Sequence, residues 1–361
     1  MKNAGIAAAL VLAILAVVFV GTEVLNLDFF FGGILPYIAM AVFIIGFIYR
    51  VLNWAKSPVP FRIPTTAGQQ KSLDFIKQNK IDNPSTKAGV IVRMFLEVVF
   101  FRSLFRNSKA EVTEEGNITY QWEKWLWLFG LCFHWGFFLT VFRHLRLFTD
   151  PVPGFVKAWE MIDGAFWVDL QQIYLTGFIL LLGITGLIAR RLYLDKVRYV
   201  SLVQDFFPIF LIFGIAVTGI FMRYLTHVDI TAVKAVAMGL ASFNIGAIME
   251  ACAMYDISVN FWFHLTLVCT LLIYFPTSKL MHAAGIFMSP TRNMANNNRM
   301  VRHINPWNPE VEVHSYQEYE HEFHQKMKAV GLPLDWDYDE EGNQLPKKNY
   351  IHNLIVRICA V

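Results

Sequence analysis

Apolar runs close to the roughly 20 residues needed to cross a bilayer recur six times along the chain, at 4–20, 33–52, 125–148, 171–192, 206–225 and 258–280. Each is closed by polar or turn-forming residues, so the pattern predicts six membrane-spanning helices. A seventh run, AVAMGLASFNIGAIMEACAM at 235–254, is broken by Asn244 and Glu250. It reads as an interfacial or loop helix. The first run resembles a secretory signal, with Lys2 ahead of it, but no small-x-small cleavage site closes it and a second span follows directly. It is expected to stay as a helix. The predicted fold is therefore an all-α integral membrane protein, a six-helix transmembrane bundle with a polar connection over 53–124 and a polar tail over 286–361.

Composition agrees with that reading. Of 361 residues, 55% are hydrophobic and 16% are charged, against about 25% charged in soluble domains. Charge placement then orients the chain, because cytoplasmic loops are enriched in Lys and Arg. Eleven such residues lie between Lys56 and Lys124, and Arg190, Arg191, Lys196 and Arg198 follow span four. The tail after Lys279 is also basic, whereas 21–32 has no Lys or Arg and the loops holding Lys157 and Lys234 are poor in them. Both termini are expected in the cytoplasm, with the chain in the cytoplasmic membrane. The net charge of +3 gives no ground for a nucleic-acid partner.

Cysteine usage narrows the chemistry. Cys132, Cys252, Cys269 and Cys359 form no C-x-x-C or C-x-x-C-H, which argues against a covalently attached haem and against a local iron–sulfur cluster.

Histidine supplies the positive signal. Of ten histidines, four fall on two spans: His134 and His144 on span three, His264 and His282 on span six. A buried imidazole is costly unless something binds it. On antiparallel helices, His134 should meet His282 near the cytoplasmic face, and His144 should meet His264 near the outer face. Taken as one straight helix, the 18-residue step of span six rises about 27 Å, while the 10-residue step of span three rises about 15 Å. Helix tilt and the width of the bound group are expected to absorb the mismatch. Zinc needs three or four ligands at one centre, and these pairs are too far apart to pool. A flat group with one histidine on each face fits better, namely two b haems, each held by two imidazoles. Arg143 and Arg146 are candidates to neutralise haem propionates. Gly130 and Gly136 offer either room for a macrocycle or a helix–helix contact.

At FHWG…RH on span three and FH…MH on span six, the sequence resembles the γ subunit family of respiratory nitrate reductase. The resemblance spans roughly 33–285 and implies a dihaem cytochrome b domain, to which the helix in 1–32 is an addition. SPVPFRIPTTAGQQKSLDFIK, VVFFRSLFRN, SPTRNMANN and NPWNPEVEVHSYQEYEHEF are similar to the membrane cytochrome b subunits of sulfite-reduction-associated complexes. That similarity implies electron exchange between menaquinone and a cytoplasmic iron–sulfur subunit related to heterodisulfide reductase, with further membrane and periplasmic redox subunits. The methanogen heterodisulfide reductase cytochrome is a relative, so nitrate reductase and heterodisulfide reductase complexes stay open as alternatives.

The polar segments point the same way. GVIVRMFLEVVFFRSLFRN alternates apolar and basic faces, as a helix lying on a membrane or a partner does. NPWNP and SYQEYEHEFHQ read as a docking surface for the iron–sulfur partner. Glu320, His321 and His324 are read as a solvated helix face rather than a metal site. Arg143, Arg146, Lys157 and Asp169 are expected on the outer side near His144, where a quinone needs charged neighbours. Lys157 and Asp169 are the quinone candidates. A metal-ion transporter would want carboxylates inside spans three and six, and those interiors have none. A passive anchor with packing histidines is the remaining rival.

Overall fold

A computed structural model of the chain describes residues 2–57, 59, 62–63, 68–105, 109–121, 123–168, 171–300 and 313–337. Six helices are long and apolar enough to cross a membrane: Lys2–Val24, Phe30–Ala55, Lys124–Leu147, Leu175–Tyr193, Val203–Tyr224 and Val259–Thr277. Their α-helical parts are α1 (Lys2–Phe19), α2 (Leu35–Ala55), α5 (Lys124–His144), α7 (Leu175–Tyr193), α9 (Val203–Tyr224) and α12 (Val259–Tyr274). Wider π turns, Val20–Val24 and Phe30–Ile34, end α1 and begin α2. Between the spans lie α3 (Lys87–Phe100), α4 (Arg102–Phe105), α6 (Gly154–Asp163), α8 (Asp195–Val200), α10 (Ile230–Ala241) and α11 (Ile245–Met254). Two short antiparallel hairpins complete the connections, β1 (Lys109–Val112) with β2 (Ile118–Gln121), and β3 (Phe166–Val168) with β4 (Gln171–Ile173). The fourth span therefore starts at Leu175, because residues 171–173, expected to be helical, pair as a strand instead.

The chain forms two compact units, Met1–His303 and Ile304–Val361. In the first, α5 packs on α7, α1 on α9, and α12 on both α2 and α9. Val11, Ile184, Leu211, Ile215 and Leu267 form one buried core among these helices. The α5–α7 contact is close because glycines line it. A Cβ at Gly136 would lie 2.7 Å from the Leu180 nitrogen, and one at Gly183 would lie 2.4 Å from the Phe133 nitrogen. Gly136 is thus a helix–helix contact and does not leave room for a macrocycle.

The seventh apolar run does not cross. It folds as the α10–α11 pair, with Val236 and Ile248 fully buried against Val18, Phe31 and Trp262. Asn244 caps α11 by accepting from the Ala247 N–H at 3.0 Å, so the polar residue that interrupts the run is where it turns.

One end of the bundle, here the loop end, carries the 56–123 connection. There Asp205 at the start of α9 accepts from Lys279 at 2.5 Å. Helix α3 inverts the usual soluble arrangement. Val90, Arg93 and Glu97 are its buried residues, while Ile91, Val92 and Phe95 are exposed. An apolar outer face of that kind suits the membrane interface. The connection is pinned to the chain after span six, where Arg93 donates to Thr291 O at 3.1 Å and the Asn296 N–H to Pro84 O at 2.7 Å.

The second unit holds α14 (Tyr316–Ala329), begun by a reciprocal Ser315–Glu318 capping box. Its Glu320 is fully buried and accepts the N–H groups of Asp335 and Trp336 at 2.9 and 2.7 Å. His324 is buried too. The expected solvated face is therefore corrected: His321 is exposed, but Glu320 anchors the chain that follows the helix. NPWNP lies outside the described residues.

Candidate functional site

The four span histidines stand as two pairs. His134 on α5 faces His282, with ring centroids 6.0 Å apart and planes at 81°. His144 at the end of α5 faces His264 on α12, 6.3 Å apart and at 9°. The mismatch in rise disappears because span six is not one straight helix. Helix α12 tightens into a 3₁₀ turn at Phe275–Thr277, and Ser278 is extended at φ −105°, ψ 175°. A second 3₁₀ turn, Lys279–Met281, leads into the one-turn helix α13 (His282–Gly285). Pro276 has no N–H to continue the ladder, so the α-helix ends there and His282 is redirected. The expectation of an unbroken 18-residue step is corrected on this point.

Each histidine has its Nδ1 engaged. His134 donates to Gly130 O at 2.8 Å, His144 to Thr140 O at 2.7 Å, and His282 to Lys279 O at 2.8 Å. A carbonyl only accepts, so the proton sits on Nδ1 and the Nε2 lone pair is left for another partner. His264 lies 3.0 Å from the Thr218 hydroxyl, whose own proton goes to Gly214 O at 2.8 Å. That hydroxyl therefore accepts, and His264 shares the same tautomer. Four imidazoles are thus set as two facing pairs of nitrogen donors. Among the described residues, no group of three or more His, Cys, Asp or Glu side chains is placed to hold a metal ion.

The end opposite the loop end is ordered by buried charge. Arg143 pairs with Asp163 on α6, whose carboxylate is 1% exposed. Asp163 also accepts the Thr176 N–H at 2.8 Å and the Thr176 hydroxyl at 2.6 Å. The Arg143 guanidinium carbon sits 3.9 Å from the centre of the Tyr174 ring. Arg146 pairs with Glu160 at 2.9 Å. Both arginines expected near His144 are there, each already facing a carboxylate. Lys157 is exposed on α6, and Asp169 lies outside the described residues. Asp163, Glu160, Thr176 and Thr218 were not singled out from the sequence. The signal for the two acids was their spacing on one short helix, within reach of two arginines three residues apart.

These features define a membrane helix bundle with two stacked bis-imidazole sites, one toward each end. The chain belongs to the nitrate reductase gamma subunit family, which matches residues 90–303. An Hdr-like menaquinol oxidoreductase cytochrome b-like subunit from Archaeoglobus fulgidus is 45% identical over 282 residues, covering 77% of this chain and 83% of that protein. The subunit of that name from Archaeoglobus profundus is 39% identical over 331 residues, 88% of this chain and 95% of that protein. One of the subunits of the dihydromethanophenazine:CoB–CoM heterodisulfide reductase from Methanosarcina thermophila is 26% identical over 204 residues, 55% of this chain and 72% of its own.

Proposed function

We propose that the chain is a dihaem b membrane subunit that passes electrons between the menaquinone pool and a cytoplasmic iron–sulfur subunit, in dissimilatory sulfur metabolism. The observation that carries this reading is the two facing histidine pairs, 6.0 and 6.3 Å apart. A metal bonded at about 2 Å to one nitrogen of each ring separates the ring centres by about 6 Å. Haem bound at both pairs would supply one-electron chemistry at two stations along the bundle. His134 and His282 would hold one group, and His144 and His264 the other. The Nδ1 acceptors fix the tautomer and raise the basicity of each ligand.

The basic loops favour a cytoplasmic loop end, with both termini on that side of the cytoplasmic membrane. The 53–124 connection and the 286–361 tail then meet the iron–sulfur partner, and the similarity of these segments to sulfite-reduction-associated subunits supports the sulfur assignment. Further membrane and periplasmic redox subunits complete the assembly. The menaquinol oxidoreductase relatives support menaquinone as the lipid-soluble carrier. Its proposed site is beside His144, where Arg143 and Arg146, held by Asp163 and Glu160, and Lys157 would stabilise an oxygen that gains negative charge. Asp169, outside the described residues, is the candidate to carry the accompanying proton.

The test is a pyridine haemochrome assay and reduced spectrum of the purified chain, expected to give two b haems. His134→Ala and His282→Ala should remove one and the same haem, and His144→Ala and His264→Ala the other. A stable, active, haem-free protein, or a His134→Ala spectrum matching that of His264→Ala, overturns the reading.

A further inference from the structure

The loop end holds more buried cationic charge than its neighbouring carboxylates balance. Arg62 and Arg93 are 3% and 4% exposed. Arg93 feels Arg292 as a like charge, and Arg62 in turn feels Arg93. Burial, reinforced by that neighbour, pushes the Arg62 guanidinium down to about 10, which leaves it charged at neutral pH. Arg102 joins the group through Asp82 at 2.9 Å, and the buried Glu97 accepts from Ser103. Among the described residues of this group, four guanidinium groups (Arg62, Arg93, Arg102, Arg292) stand with two carboxylates (Asp82, Glu97), an excess of two positive charges. Arg62 and Arg93 are the buried members of the group, and buried charge is costly unless an anion joins it.

The side of the cluster nearest the histidines is open. Arg292 lines a cavity of about 640 Å³ together with Arg50, Lys279, Ser289 and His282. Arg50 comes from the last turns of α2 and lies over the Trp54 ring at 5.4 Å. The buried Nε atoms of Arg50, Arg62, Arg93 and Arg292 have no hydrogen-bond acceptor among the described residues, whereas Lys279 is committed to Asp205 at 2.5 Å. A guanidinium with unused N–H donors is a receptor for carboxylates, which accept its donors in pairs.

We propose that Arg50 and Arg292 bind two carboxylates in this cavity, the propionates of a haem ligated by His134 and His282. Arg93 and Arg62 stand behind them and maintain the positive field. With Arg50 added at the cavity, the guanidinium groups outnumber the two carboxylates by three, so two propionates would offset most of the excess. The proposal rests on the reading of that histidine pair as a haem site. It also places carboxylate binding at the end of the bundle where the arginine Nε donors have no acceptor among the described residues, while Arg143 and Arg146 at the other end already face Asp163 and Glu160.

The experiment uses the purified full-length chain with its haems, as wild type, Arg50→Gln, Arg292→Gln, the double variant and Arg292→Lys. Haem transfer to excess apomyoglobin gives the loss rate, redox titration gives the potential, and the difference spectrum of His282→Ala identifies the loop-end haem. In the double variant that haem should leave at least about tenfold faster, as expected for the loss of charge-assisted hydrogen bonds. Its potential should fall, because the ferric form is no longer disfavoured by nearby positive charge. Arg50→Gln alone should show a smaller change of the same sign, and Arg292→Lys should restore most of the potential. The haem that depends on His264 should keep its rate and potential, which verifies folding. A His282-dependent haem indifferent to both arginines, or equal changes in the two haems, overturns the proposal alone. Loss of no haem in His282→Ala overturns the reading of the pair, and the proposal with it.

Discussion

The two histidine pairs use the same donors but are built by different means. His144 and His264 both come from long helices, their rings nearly parallel at 9°, and the acceptor for His264 is a side chain on a third helix, Thr218 of α9. His134 and His282 are nearly perpendicular at 81°, and His282 is exposed on a one-turn helix after a break in the span. Its Nδ1 acceptor is a carbonyl only three residues away. A pair held by three helices is fixed by tertiary packing. A pair that includes a residue beyond a helix break is fixed by local turn geometry and opens toward the loop end. The first arrangement isolates its site; the second leaves it accessible beside a cavity.

The largest expected contrast comes from Asp163→Asn. This carboxylate is 1% exposed and is held by Arg143 and Thr176, so the substitution leaves a buried guanidinium without its counter-charge. Breaking a buried pair from one side costs about 3–5 kcal/mol. With haem at both pairs as proposed, thermal unfolding followed at the His264-dependent haem should shift strongly downward, with that haem lost before the loop-end one. Equal sensitivity of both sites would show that the buried charge stabilises the whole bundle and not one end of it.

Thr218→Val is the next step down. Valine keeps the shape but removes the hydroxyl acceptor, leaving the His264 ring only the Ile215 carbonyl as a partner on α9. Losses of a ligand's supporting hydrogen bond typically reduce affinity by roughly 10–100-fold. The His264-dependent haem should dissociate faster by about that factor, while the His282-dependent haem, whose acceptor is backbone, stays as it was. No change at His264 would mean that helix packing alone holds the ring.

The sequence made the six spans legible because the lipid core demands long apolar runs, and the antiparallel order of spans three and six made the histidine partners legible. The geometry between partners was not. Hydropathy runs straight through LLIYFPTSKL, so Pro276 and Ser278 read as span residues although proline ends the hydrogen-bond ladder at that point. Asp163 and Glu160 lie in a polar connection, where nothing local separates a buried counter-ion from a solvated one. Thr218 reads as a packing residue, because mid-helix threonines usually bond their own backbone, and this one does so as well. Glu320 escapes a sequence reading for a related reason: its N–H partners, Asp335 and Trp336, are fifteen or more residues away, beyond any helical spacing.

The smallest contrast concerns the break itself. Ser278 is the hinge between two 3₁₀ turns. Its hydroxyl donates to Phe275 O at 2.9 Å and accepts the Leu280 N–H at 3.1 Å, so one oxygen both closes the end of the span and caps the turn that carries His282. Removing a cap of this type costs about 0.5–2 kcal/mol. Pro276 still ends the helix in Ser278→Ala, so the chain should turn in the same place but hold His282 less firmly. The loop-end haem should then show a modestly lower midpoint for thermal loss, and the His264-dependent haem none. If both haems respond equally, the turn supports the bundle as a whole. If neither responds, Pro276 alone sets the direction of His282, and the contrast between a tertiary-held and a turn-held pair loses its local half.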